Sequence, residues 1–471
     1  MKFLGLNRKE IVFIITGFLL AILILKAVLF FTARPKVTVN YVSVYNRITR
    51  PQNYAPKENA APYYQQAFDA FVETPEKLPM LYYINWPTDY NNDEQVLFEK
   101  WLISNTLAFD YFREALNKPY YWIRRTSTED NIVDDMNFSD DSKLLGIAKA
   151  LIWDAKLKAS KGQFQAAFKN ILDSYRAGNY KCRSKLFLIE QYCGLSIKNN
   201  ALRGALTILD KSKVENESLK FLQNSLEEER KKDDYLPGLD TEKLKLYDWI
   251  QRLFVDNGKG TGRLVFKGFD AIMSLYYGES NDEQVWLNSF FGPTRNETTE
   301  QIEQTIALYE QIKNKTPWQI HKQGLDNFAQ IRAINQNNFL LKYIGLDPQK
   351  IFQSCYRLRA EIDGLIVVLA LLRYKADTGQ YPESLDKLVS AGYLQSVPMD
   401  PYSDGPLVYK VTENNFKLYS VGENFVDDGG ETYHADIVYW PVKKPEKLKP
   451  LSEIEEEPET MQEISDANEP K

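Results

Sequence analysis

Histidine and cysteine are the scarcest chemistry-bearing residues in this 471-residue chain. There are two histidines, His321 and His434, far apart in sequence. That excludes a histidine-rich metal site, and a Ser-His-Asp triad would have to use one of these two. The three cysteines, Cys182, Cys193 and Cys355, form neither a disulfide framework nor a zinc-ligand spacing. On one straight helix Cys182 and Cys193, eleven positions apart, would share a face about three turns apart, too far to bond, so buried thiols are expected. The chain also lacks a basic excess. Its net charge is −6, so no nucleic-acid partner is expected. No set of catalytic residues emerges, and the expectation is a protein that is not an enzyme.

Aromatic residues are abundant and charges of both signs are mixed, as in folded proteins, and the length allows two cores. One long apolar run stands out. Residues 11–33 carry Lys26 as their only charge. At 1.5 Å per residue this run crosses a hydrocarbon core of roughly 30 Å, with Lys26 near one end able to snorkel. The expectation is a retained single-pass anchor, its partner the lipid bilayer. Lys2, Arg8 and Lys9 before the span, offset by Glu10, and Arg34 and Lys36 after it give only a slight positive-inside bias. Gly5, Leu6 and Glu10 have a spacing similar to a type IV prepilin cleavage site, with polar Asn7-Arg8-Lys9 where that family is apolar.

The chain divides by pattern into 1–36, a cytoplasmic stub and anchor; 37–348, a helical domain; 349–445, an α+β domain; and 446–471, an acidic disordered tail rich in Glu453 to Glu459. The fold class is mainly α with a C-terminal α+β module: an irregular helical bundle or short solenoid, then a long helix packed on a small antiparallel sheet. Within the helical domain, residues 142–162, a Lys-Gly-Gln-Phe turn and residues 164–175 resemble one tetratricopeptide-type hairpin, without a 34-residue period. Leu219 to Lys232 is highly charged and reads as a solvated helix. The glycine-rich stretch 257–263 lacks P-loop spacing and reads as an interhelical loop. Two aromatic clusters, Tyr82 to Trp86 and Tyr120 to Arg125, lie near Asp89, Asp93 and Glu94. They fit either a glycan-processing groove or aromatic packing between helices.

In the C-terminal region Cys355, Leu358, Ile362, Leu365, Leu369 and Leu372 line one broad helical face. The apolar stretch 364–372 is too short to span a bilayer. Gly379 stops the helix, Ser384 and Asp386 start a short one ending near Gly392, and 407–411 and 416–421 form a hairpin around 413–415. Residues 436–440 are a third strand.

Here several motifs occur in order: Leu-Arg-Tyr-Lys-Ala-Asp-Thr-Gly-Gln-Tyr-Pro-Glu-Ser-Leu, then Gly-Tyr-Leu, Val-Pro-Met-Asp-Pro-Tyr, Tyr-Ser-Val-Gly-Glu-Asn, Asp-Asp-Gly-Gly and Ala-Asp-Ile. Together they resemble the globular part of the type II secretion major pseudopilin, the G protein. The likeness covers about ninety residues, a small-domain length. In that family the anchor runs directly into this helix, whereas here over three hundred residues intervene. The resemblance implies a calcium site made by the Val421 carbonyl with Asn424, Asp427, Asp428 and Asp436. A hard cation takes about six to eight oxygens, and Gly429 and Gly430 let the loop wrap. The family usually has Asp where this chain has Asn424. An ordinary solvated acidic turn is the alternative. The resemblance also implies a bacterial inner-membrane anchor with a cytoplasmic N-terminus and the bulk of the chain outside the cytoplasm, secretion or envelope proteins as partners, and a structural or interaction role. An envelope glycan-processing enzyme and a helical-repeat peptide-binding adaptor are the competing functions.

Overall fold

The computed structural model describes residues 8–32, 34–76, 78, 86–127, 132–182, 186–232, 236–256, 258–262, 264–265, 292–412, 414–431 and 436–442. The Gly5-Leu6 cleavage position, the Tyr82–Asn85 part of the first aromatic cluster, His434 and the acidic tail lie outside them.

The apolar N-terminal run forms α1 (Arg8–Thr32), long and apolar enough to cross a membrane. Its large side chains, such as Phe13 and Phe18, face outward rather than into the body. Outward apolar side chains on every face suit a hydrocarbon environment and not a soluble core.

After an extended link come α2 (Tyr41–Thr49), α3 (Ala61–Ala70), α4 (Asn92–Ser104) and α5 (Thr106–Leu116). Three long helices follow, α6 (Ser139–Ser160), α7 (Phe164–Lys181) and α8 (Leu188–Lys211). The hairpin between α6 and α7 turns where the sequence places it, at Gly162, whose φ of 76° is left-handed. Between α7 and α8 the backbones touch at a glycine pair. A Cβ on Gly178 would lie 2.7 Å from the Gly194 carbonyl oxygen. The two cysteines sit on different helices. Cys182 caps the end of α7, while Cys193 lies in α8. The single-helix geometry considered from sequence therefore does not apply.

Helix α9 (Asn216–Lys232) corrects a second expectation. Leu219, Leu222 and Leu226 recur at helical spacing and are buried with Ser218, Gln223 and Glu229. Burying each leucine contributes about 1.5–3 kcal/mol, so this stripe docks the helix and the charges occupy the outer face. Next come α10 (Asp240–Leu253), α11 (Arg295–Ile312), α12 (Pro317–Lys322), α13 (Asn327–Asn337) and α14 (Leu341–Ile344). The described part of the glycine-rich stretch follows α10, and its Gly260 and Gly262 carbonyls accept from the Asn296 and Arg295 amides at the start of α11; residues 266–291 between them lie outside the described residues.

The long helix α15 (Gln349–Thr378) ends at Gly379, which adopts φ 84° as its left-handed cap. The short α16 (Leu385–Ser390) follows, then β1 (Val408–Val411), β2 (Phe416–Ser420) and β3 (Ile437–Trp440). The sheet is antiparallel in the order β1-β2-β3, with an irregularity between Leu418 and Tyr419. Gly364 lets α15 lie flat on the sheet, because a Cβ there would come within 2.5 Å of the buried Tyr439 ring. One apolar core runs from Ile171 and Leu202 through Leu222 and Leu226 to Leu365, Leu369 and Leu418. The α+β module is thus packed into the helical body. Arg230 pairs with Asp363 at 2.8 Å, and Arg373 donates to Gln223 at 2.8 Å.

Candidate functional site

Because α6, α7 and α8 run antiparallel, the start of α6, the end of α7 and the start of α8 meet at one end of the bundle. Each carries the charge its helix dipole favours: Asp140 and Asp141 at the start of α6, Lys181 at the end of α7, Glu190 in the first turn of α8. Lys181 is fully buried. Its ammonium lies 2.5 Å from Asp141, 3.1 Å from Asp140 and 3.3 Å from Glu190. A second cation, Arg125, arrives from the aromatic segment. It donates to Asp140 at 2.5 and 3.2 Å and to Glu190 at 2.7 Å. Tyr45 of α2 donates to Glu190 and Tyr121 to Asp140, each at 2.5 Å. The Lys181 ammonium also lies 4.8 Å from the centre of the Tyr121 ring.

Burial opposes ionisation of every member, and the partners decide the outcome. For Asp140 and Glu190, Lys181 and Arg125 overcome the burial penalty and hold both below the usual carboxylate range. Burial would also lower Lys181, but the three carboxylates hold it above the ordinary lysine value. Asp141 differs. Burial comes first, Lys181 opposes it, and the charges of Glu190 and Asp140 add to it, so its carboxyl is raised to about 6. Three carboxylates face two cations, and Asp141 is the group that carries the proton when the cluster is neutral.

Above Arg125 and Glu190 a cavity of about 450 Å³ opens between the end of α2 and residues 119–125. Tyr45, Tyr121, Trp122 and Tyr180 are among its walls, and Arg50 stands on its rim. Its walls mix aromatic rings with polar and charged groups, among them Thr49, Arg50, Gln52, Arg125 and Glu190. Glycoside hydrolysis needs two carboxyls flanking one bond. Among the described lining residues the one carboxylate is Glu190, which is tied to Tyr45 and Arg125. The carboxylates singled out from sequence are elsewhere. Asp89 accepts from the Trp86 amide, and Glu94 closes the capping box of α4 with Asn91. Of the first aromatic cluster, Trp86 is buried as core.

The acidic loop after β2 is held by its own hydrogen bonds. Asn424 donates to Asp428 at 2.7 Å and accepts from the Val426 amide. Asp427 accepts from the Tyr419 hydroxyl at 2.7 Å and the Gly429 amide at 2.9 Å, with Lys410 3.8 Å away. The Tyr419 bond leads in holding Asp427 below its ordinary value. Asp436 accepts from the Gly430 amide at 2.7 Å through Oδ2, while its buried Oδ1 has no hydrogen bond among the described residues. Burial raises Asp436. Val421 donates its amide to Asp400 at 3.0 Å, and Asp400 also accepts from Ser420 and the Tyr402 amide. Asp400 thus organises the loop's entry. The loop contains donors suited to a hard cation, and the Asp436 Oδ1 is one unspent acceptor. As they stand, no three of the described His, Cys, Asp or Glu side chains gather as a metal-holding group. Asp427 and Asp428 would have to exchange their present partners for an ion.

The loop also touches the helical body. Phe425, at φ 62°, stacks on His321 with ring centres 4.2 Å apart, and the Trp318 amide of α12 donates to the Pro401 carbonyl. The long sequence gap between α12 and this loop hid that contact. No family model, curated protein or solved structure matches this chain.

Proposed function

We propose that the chain is a single-pass protein of the bacterial inner membrane whose body lies outside the cytoplasm. In this reading it carries a pseudopilin-G-like module and serves an interaction or assembly role beside a secretion or envelope machine. The observation that supports it most is the placement of α15. One side of this helix meets the sheet at Gly364 and Tyr439, while Arg230 and Gln223 of α9 reach Asp363 and Arg373. A module held on both sides is suited to be a fixed part of a larger anchored protein. It is poorly suited to pack as a filament subunit through that helix. Membrane cross-linking followed by affinity capture of the full chain tests the role. Recovery of secretion or envelope-assembly proteins is the expected result. Their absence, with glycan hydrolysis in the same preparation, would replace this reading with the enzymatic one.

Calcium binding is a part of the same proposal. The Val421 carbonyl, Asn424, Asp427, Asp428 and Asp436 would supply oxygens, and the ion would fix the loop beneath β2 and β3. Thermal melts of the full chain with and without millimolar calcium check this. When free calcium reaches about 100 times the dissociation constant, binding adds about 2.7 kcal/mol. Asp436→Asn should abolish the calcium-dependent shift. A wild-type melt unmoved by calcium would remove the site.

A further inference from the structure

The segment 120–125 belongs to no sheet and forms one isolated parallel bridge, Tyr120 with Asn59. Its backbone is pinned by two asparagine side chains that imitate a neighbouring strand. Asn59 accepts from the Trp122 amide at 2.9 Å and donates to the Trp122 carbonyl at 2.8 Å. On the same side, the Tyr120 carbonyl accepts from the Ala60 amide. Asn46 of α2 does the same for Arg125, accepting from its amide at 2.7 Å and donating to its carbonyl at 2.8 Å. In extended chain, successive residues direct their N–H and C=O to opposite edges. Residues 120 and 122 therefore serve the Asn59 edge, and residues 121, 123 and 125 serve the Asn46 edge. At that second edge Arg125 is satisfied, but the amides and carbonyls of Tyr121 and Ile123 have no hydrogen-bond partner among the described residues. They face the side where the 450 Å³ cavity separates this segment from the end of α2.

We propose that this cavity receives an extended peptide that adds as a strand to Tyr121 and Ile123 and carries an acidic side chain. Strand addition takes its affinity from main-chain hydrogen bonds and its specificity from alternate side-chain positions. Trp122 and Tyr45 supply apolar wall, and the charge comes from two arginines. Arg50 lines the rim with its guanidinium over the Tyr54 and Trp122 rings, and it has no ion pair among the described residues. Arg124, which directly follows Ile123 in the chain, is exposed and likewise has no ion pair among the described residues. Rigidity comes from below, where Arg125 is fixed by Asp140 and Glu190. A preformed edge lowers the ordering cost of binding. This inference stands independently of the pseudopilin-like reading.

Selection of random phage-displayed heptapeptides on the detergent-extracted full chain tests it. Enriched peptides should place Asp or Glu among β-branched or aromatic residues. Arg50→Glu should weaken them at least tenfold. Ile123→Pro should do the same while leaving the melt unchanged, because the amide it removes has no partner in the folded chain. N-methylation at alternate peptide positions should also abolish binding to the wild type, a readout that holds even if the proline variant folds poorly. No enrichment over the doubly substituted chain would overturn the proposal. So would enriched peptides that bind both variants equally, or binding that free glutamate displaces as well as the peptide does.

Discussion

Lys181→Met should be the most damaging single substitution in the helical body, costing about 3–5 kcal/mol, the range for removing one partner of a buried ion pair. Methionine nearly matches the lysine in volume, so the loss is of charge and not of packing. Asp140, Asp141 and Glu190 would remain together with Arg125 as their only ion-paired cation among the described residues. Arg125 reaches Asp140 and Glu190, which leaves Asp141 without a counter-ion among the described residues. Domains are stable by only about 5–15 kcal/mol, so the variant should melt far below the wild type at neutral pH. Its deficit should shrink on acidification, because the abandoned carboxylates then take up protons and no longer need the cation. Adding Asp141→Asn should recover part of the loss. Melts of the three proteins across pH check this. A Lys181→Met deficit independent of pH would mean that the ammonium's role is steric.

This cluster marks where sequence reasoning stopped. The elements that depend on neighbours in sequence were readable: the uniform apolarity of α1, the broad apolar face of α15, the left-handed stop at Gly379 and the hairpin of β1 and β2. The cluster depends on none of these. Tyr45, Tyr121, Arg125, Asp140, Lys181 and Glu190 come from five stretches of chain and meet only because three helix ends converge. Taken singly, Asp140 and Asp141 look like ordinary first-turn acids, and Lys181 like an ordinary last-turn base. Asn46 and Asn59 gave no signal either, since an asparagine bonding a distant backbone has no local pattern. The α9 correction is of another kind. Leu219, Leu222 and Leu226 were visible as an apolar stripe, but the density of charge around them obscured it. In the acidic loop the residue types were legible and their partners were not. Tyr419, Lys410 and Asp400 reach those carboxylates and the loop entry through the pairing of β1 with β2, a long-range fact.

Asp141→Asn should change the pH dependence of stability in a specified direction. Asp141 has an ordinary value of 3.8 and is raised to about 6 in the folded chain, first by burial and then by Glu190 and Asp140, against the pull of Lys181. A folded carboxyl raised in this way favours the native state while protonated. Its contribution is therefore present at low pH and is lost as pH rises from the unfolded value through the folded one. A shift of about two units corresponds to about 3 kcal/mol at 1.36 kcal/mol per unit. Asparagine is neutral throughout and escapes that loss, keeping Asp140 and Glu190 opposite Lys181 and Arg125 at balanced charge. The stability of Asp141→Asn relative to the wild type should thus grow by about 3 kcal/mol between pH 3.5 and 7. Most of the change should fall between pH 4 and 6. Other titrating groups largely cancel in the difference. Denaturant titrations of both proteins at stepped pH give the curve directly. Parallel curves would show that Asp141 is ionised as readily in the folded chain as in the unfolded one. A difference that falls with pH would mean that Asp141 is the cation's essential partner and not the cluster's surplus charge.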